Sequence, residues 1–218
     1  MIVEFSGVPG SGKSTVIQKI KDESIFPQKS VFIDNNFSFL KDTFFIFYFF
    51  YIFQFQYKKL FSLIYHSENS FLQKMNLLRN VIKKISRYFF YNRKKEIYLF
   101  DEGVSHIVFN IFVDSSFKGI DKKEIEEVLQ LLPLPNLLIC IEADKEIVLQ
   151  RLEYRGHKRI NFDDKVKVEN FVTKTFYTYE VLKAYVEKNI NVIIIKNNGF
   201  DLNIDINSLK NKVKEMDV

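Results

Sequence analysis

The chain has 218 residues, 47% hydrophobic and 27% charged, which excludes a disordered chain and suits one domain, or one domain with an inserted subregion. A net charge of +5 and a pI near 9.0 fit a polyanionic ligand such as a nucleotide, but the excess is too small to argue for nucleic acid. Its one cysteine, Cys140, excludes an internal disulfide and a cysteine-rich zinc site, and the surrounding run LLICI marks it as an inert core thiol.

Short β-branched runs alternate with helical stretches, the pattern of a parallel sheet covered by helices. A strand at residues 2–6 leads to a helix at 13–21. A second strand at 30–33 is followed by helices at 43–67 and 71–91, then by a third strand at 97–100. A helix at 122–131 is stopped by Pro133 and Pro135 before a fourth strand at 137–141. A helix at 145–155, a long helix at 165–189, a strand at 192–196 and a last helix near 206–215 complete the series. The N-terminus, MIVEFSG, has neither a basic region nor a signal-type apolar stretch, so the cytoplasm is the expected location.

Residues 44–53, FFIFYFFYIF, form an unbroken apolar run closed by Lys58 and Lys59. Spanning a bilayer takes ~20 apolar residues, so no transmembrane segment is expected. A buried helix or a homodimer interface is the favoured role. Docking on a membrane surface, with the two lysines at the headgroups, is the alternative.

Three of the seven glycines fall in GVPGSGKST, residues 7–15, between a strand and a helix. This satisfies G-x-x-x-x-G-K-[ST] in the context the motif requires. The backbone of Gly7, Val8, Pro9, Gly10, Ser11 and Gly12 is expected to form an anion nest at a helix N-terminus. Lys13 is then expected at the β and γ phosphates of ATP, the Ser14 hydroxyl on Mg²⁺, and Thr15 at the α phosphate.

The third strand ends in IYLFDEG. Asp101 at its carboxyl end is the second candidate Mg²⁺ ligand, and Glu102 is suited to orient an attacking water or an acceptor hydroxyl. Asp34, after the second strand, points toward the place where a phosphate acceptor would sit and is a candidate general base. In LQRLEYRGHKRI, residues 149–160, Arg151 and Arg155 share one helix face and Arg159 extends the cations into a loop. Such a cluster suits the charge that spreads over a transferring phosphoryl group.

Together GVPGSGKST, DEG and QRLEYRG resemble the P-loop kinases of the nucleoside-monophosphate, thymidylate and deoxynucleoside kinase type. The resemblance covers most of residues 1–199, although residues 36–96 carry no matching motif. It implies an α/β fold of three α/β/α layers, a P-loop NTPase fold with a five-stranded parallel sheet of order 2-3-1-4-5. Residues 1–218 would then be one kinase domain, with a helical acceptor-side region at 36–96 and a short lid at 151–164. It also implies that Arg151 stacks on adenine, that Arg155 binds the transferring phosphates, that Arg159 is a further lid cation, and that Asn197, Asn198 and Gly199 border the adenine.

One departure bears on the acceptor. Thymidylate and deoxynucleoside kinases usually carry Asp-Arg where this chain has Asp101-Glu102. The missing arginine makes a neutral hydroxyl compound, a nucleoside, a sugar or a small metabolite, a stronger acceptor candidate beside a nucleotide. The leading expectation is thus an ATP- and Mg²⁺-dependent kinase of a small molecule. The alternative is a P-loop NTPase that couples ATP hydrolysis to a conformational or assembly change, with Glu102 activating water.

Overall fold

A computed structural model describes residues 1–27, 29–33, 39–52, 57–67, 69–113, 121–155, 164–199, 209, 211 and 213. Five strands form one sheet: β1 (Ile2–Ser6), β2 (Val31–Ile33), β3 (Tyr98–Asp101), β4 (Leu137–Glu142) and β5 (Asn191–Lys196). All pairings are parallel and the order is β2-β3-β1-β4-β5, as the resemblance implied. The helices are α1 (Lys13–Asp22), α2 (Phe39–Ile52), α3 (Lys58–His66), α4 (Phe71–Asn92), α5 (Ile107–Phe112), α6 (Lys122–Leu131), α7 (Lys145–Arg155) and α8 (Lys165–Asn189).

Alternation along the strands builds two cores. Val3, Phe5, Leu99, Ile139 and Ile141 face α1, which turns Val16, Ile17 and Ile20 inward, and Leu209 and Val213 join this layer. Ile2, Tyr98, Phe100, Leu138 and Cys140 face the opposite layer, built by α4, α5, α6 and α8. Burial pushes the Cys140 thiol up to about 12, in keeping with an inert core position.

Local chemistry starts several of these helices. Ser70 and Gln73 form a reciprocal capping box at the head of α4. Asp121 caps α6 through the Lys123 amide, and Asp164 caps α8 through the Lys167 amide. By contrast α1 has Gly12 at its N-cap and no side-chain cap, so its first amides stay open toward the loop before it.

Two elements differ from the sequence reading. The helix expected at 43–67 is two helices, and Tyr57 between them is non-helical at φ −105°, ψ 19° and packs its ring on Phe49 at 5.6 Å. The run IVFNIF forms α5, which no expectation covered; five of its six residues are buried. Of the helix expected near 206–215, residues 209, 211 and 213 are helical and the rest lie outside the described residues. Among the described residues no helix is long and apolar enough to cross a membrane.

Strand register decides where the chemistry gathers. β1 and β3 run level, with Phe5 opposite Asp101, so the loop after β1 and the turn after β3 leave the sheet side by side. On the other flank Ser6 pairs with Cys140, and that row continues into β5.

Candidate functional site

The loop of residues 7–12 joins β1 to α1 with Gly10 at φ 87° and Gly12 at φ 85°. Both lie in the left-handed region that glycine enters freely. A Cβ on Gly12 would also collide with Asn197 Nδ2, so the close approach needs glycine as much as the backbone angle does.

That approach is held by hydrogen bonds. Asn197, 4% exposed after β5, donates from Nδ2 to the Ser11 carbonyl at 2.8 Å, and its own amide donates to the Glu142 carbonyl at 2.8 Å. Arg151 on α7 donates from one guanidinium nitrogen to the carbonyls of Asn197 (3.1 Å), Ser11 (3.3 Å) and Gly10 (3.4 Å). Its other terminal nitrogen reaches Gly199 O at 3.5 Å. Asn198 in turn accepts from the Asp144 amide at 2.9 Å. Carbonyls of the loop are thus engaged from α7 and the post-β5 loop.

Lys13, the first residue of α1, is 11% exposed and donates to Glu102 Oε1 at 3.1 Å, with Asp101 Oδ1 at 3.8 Å. Glu102 also lies 3.6 Å from His106 Nε2, one turn further along the chain. Burial alone would raise the Glu102 carboxyl, but His106, Lys13 and Lys84 outweigh it and hold it at about 2. Burial raises Asp101 instead, the nearby Lys13 only partly opposing it. Two adjacent carboxyls are therefore pushed apart, and Glu102 is ionised throughout the neutral range.

Ser14 and Thr15 are exposed on the first turn of α1. A serine hydroxyl and an aspartate at the end of the neighbouring strand are oxygen donors, which suit a hard cation such as Mg²⁺. No group of three or more His, Cys, Asp or Glu able to hold a metal ion occurs among the described residues.

The structure thus brings together Lys13, Asp101 and Glu102 at one end of the loop, and Arg151, Asn197, Asn198 and Gly199 behind it. Arg155 is the last residue of α7 and is exposed. Asp34 and Arg159 lie outside the described residues. A cavity of about 290 Å³ opens beyond the carboxyl ends of β4 and β5, lined by Val8, Asp144, Phe176, Tyr179 and Asn198 among others. It lies on the α8 side of the loop, and Lys13, Asp101 and Glu102 do not line it.

Sequence reasoning missed three contributors. His106 stands four residues after Glu102, a spacing that could have paired them. Glu4 interrupts the otherwise apolar IVEF and is 1% exposed, an anomaly visible in the string itself. Lys84, whose ammonium donates to the Glu102 carbonyl at 2.6 Å, left no signal, because one more lysine on an amphipathic helix reads as solvated surface.

A family model described as the viral superfamily 1 RNA helicase core domain matches residues 4–44, from the middle of β1 through the glycine loop, α1 and β2 into the start of α2. No curated protein matches the chain. Among solved structures, deoxyadenosine kinase from M. mycoides with products dCMP and dCDP aligns over 99% of this chain and 97% of its own, at 13% identity and a TM-score of 0.52. Thymidylate kinase from Ehrlichia chaffeensis aligns over 99% and 97%, at 16% identity and a TM-score of 0.48. The chain shares the fold of that deoxyadenosine kinase, a five-stranded parallel sheet of order 2-3-1-4-5 with helices on both sides.

Proposed function

We propose that the chain is an ATP-dependent kinase that moves the γ-phosphate of ATP to a small-molecule acceptor such as a nucleotide, nucleoside or sugar. The observation that carries this reading is the meeting of Lys13, at the open head of α1, with the Asp101-Glu102 turn at 3.8 and 3.1 Å. Loop amides and the head of α1 would bind the phosphate chain, and Lys13 would exchange its carboxylate partners for the β and γ oxygens. Mg²⁺ bound through Ser14 and Asp101 would neutralise phosphate charge.

Glu102 is ionised and accepts hydrogen bonds, so it would orient the acceptor hydroxyl and take up its proton as the new bond forms. Asp34 is the second candidate for that role. Arg155 and Arg159, on the lid of residues 151–164, would stabilise the transferring group. The edge of the Arg151 guanidinium is committed to carbonyls, which leaves its face for an adenine bordered by Asn197, Asn198 and Gly199. The helices between β2 and β3 would wall the acceptor side, and the exposed Phe44, Phe47 and Tyr51 of α2 would form a homodimer contact. Activity is placed in the cytoplasm.

One observation favours a second reading, an NTPase that drives a conformational or assembly change. It is the match of residues 4–44 to a helicase core, together with a carboxylate at Glu102 suited to activate water. ADP release measured with and without pools of nucleotides, nucleosides and sugars separates the two. Stimulation by one pool is expected. Steady acceptor-free hydrolysis that Glu102→Gln abolishes would establish the NTPase in its place.

A further inference from the structure

We propose that Glu4 and Lys84 are positioning residues that grip the turn of residues 101–105 from the core side, so that the Glu102 carboxylate faces Lys13. The proposal rests on the reading of that turn as part of the transfer site.

Glu4 stands in the middle of β1 on the face that carries Ile2. One of its oxygens accepts from the Val104 amide at 2.8 Å and the other from the Ser105 amide at 3.0 Å. Gly103 lies directly over this carboxylate, and a Cβ there would collide with Glu4 Oε1. From α4, Lys84 Nζ donates to the Glu102 carbonyl at 2.6 Å. The turn is thus fastened at residue 102 and again at residues 104 and 105.

Between the two fastenings Glu102 has φ 61°, a left-handed conformation that a residue with a Cβ keeps only when its surroundings over-determine it. That conformation delivers the carboxylate to Lys13 at 3.1 Å and to His106 at 3.6 Å. The space left among Glu4, Lys84, Arg87 and Gly103 is about 10 Å³, room for no more than one water, so the cluster supports the turn and takes no substrate.

Energetics point the same way. A carboxylate and an ammonium under a sheet are expensive to desolvate, and apolar side chains of similar volume would fill the layer at lower cost. They would hold neither two amides nor a carbonyl. Burial pushes the Glu4 carboxyl up, with the two amides and Lys84 opposing, and burial lowers the Lys84 ammonium to about 8. The fold tolerates both groups where the gain is the shape of this one turn.

The test compares wild type with Glu4→Gln, Lys84→Met, Lys84→Arg and Glu102→Gln. For Glu4→Gln and Lys84→Met, kcat is expected to fall roughly tenfold or more while the ATP dissociation constant stays within about threefold. Lys84→Arg keeps a donor and should restore most of the rate. Since the clamp acts through Glu102, adding Lys84→Met to Glu102→Gln should lower kcat by less than about twofold further. As a readout free of turnover, amide exchange across residues 102–105 should accelerate roughly tenfold or more in Lys84→Met and Glu4→Gln, with α6 unchanged.

Wild-type protein that binds ATP yet turns over neither acceptor nor water would overturn the transfer reading alone, and amide exchange would then decide the clamp. Unchanged exchange at 102–105, exchange raised equally in α6, or rate losses that multiply in the double variant would overturn the clamp. Should Lys84→Met fail to fold, Glu4→Gln carries the same comparison.

Discussion

Glu102 combines three unusual properties: a left-handed backbone, a lysine and a histidine on one carboxylate, and a carboxyl held at about 2. A carboxyl lowered on folding contributes stability that is fully present above its ordinary value of 4.5 and is lost as pH falls through about 2. The melting-temperature gap between wild type and Glu102→Gln is therefore expected to be widest above about pH 5 and to close below it. A gap independent of pH would show that Lys13 and His106 do not favour the ionised form. Gly12 makes a second prediction at this scale. Gly12→Ala must keep φ near 85° and push Asn197 away, so it should cost roughly 1–2 kcal/mol in chemical denaturation from the backbone angle alone, and weaken ATP binding as well.

The Phe-rich α2 is two-faced, and that division can be measured. Phe49 is 1% exposed against Tyr57 and Phe61, whereas Phe47 is 70% exposed. Phe49→Ala should destabilise the fold by about 3–5 kcal/mol in denaturant titration. At a concentration where the chain is monomeric, Phe47→Ala should change it by no more than about 0.5 kcal/mol. Equal losses would contradict the orientation of the helix. Sequence alone could not separate these faces, since apolar side chains occupy every position from 44 to 53 and a continuous run has no period to read. The interruption before α3 was hidden for a related reason. Residues 53–56 read FQFQ, without glycine or proline to announce a break, and the non-helical Tyr57 is packed on Phe49, a tertiary contact that a local reading does not see.

Over the whole molecule, the parts that sequence makes legible are those whose physics is local. Strand positions follow from β-branched runs, the phosphate loop from glycine spacing before a helix, and the sheet order from the resemblance that these motifs carry. Parts set by packing were not legible. Helix α5 is only six residues long, five of them apolar, and Lys84 gains its role only because α4 lies under the turn after β3. Arg151 is intermediate: its place on the helix face was readable, but its grip on the carbonyls of Gly10, Ser11 and Asn197 depends on how α7 meets the loop. At every scale the proposed transfer depends on residues 7–15 holding a triphosphate, with Lys13 on its terminal phosphates. Calorimetric titration of ATP into wild type and Lys13→Ala tests that most directly. Affinity is expected to fall by roughly tenfold or more, the scale of one charge-assisted contact to phosphate. Equal affinity in the two proteins would contradict it.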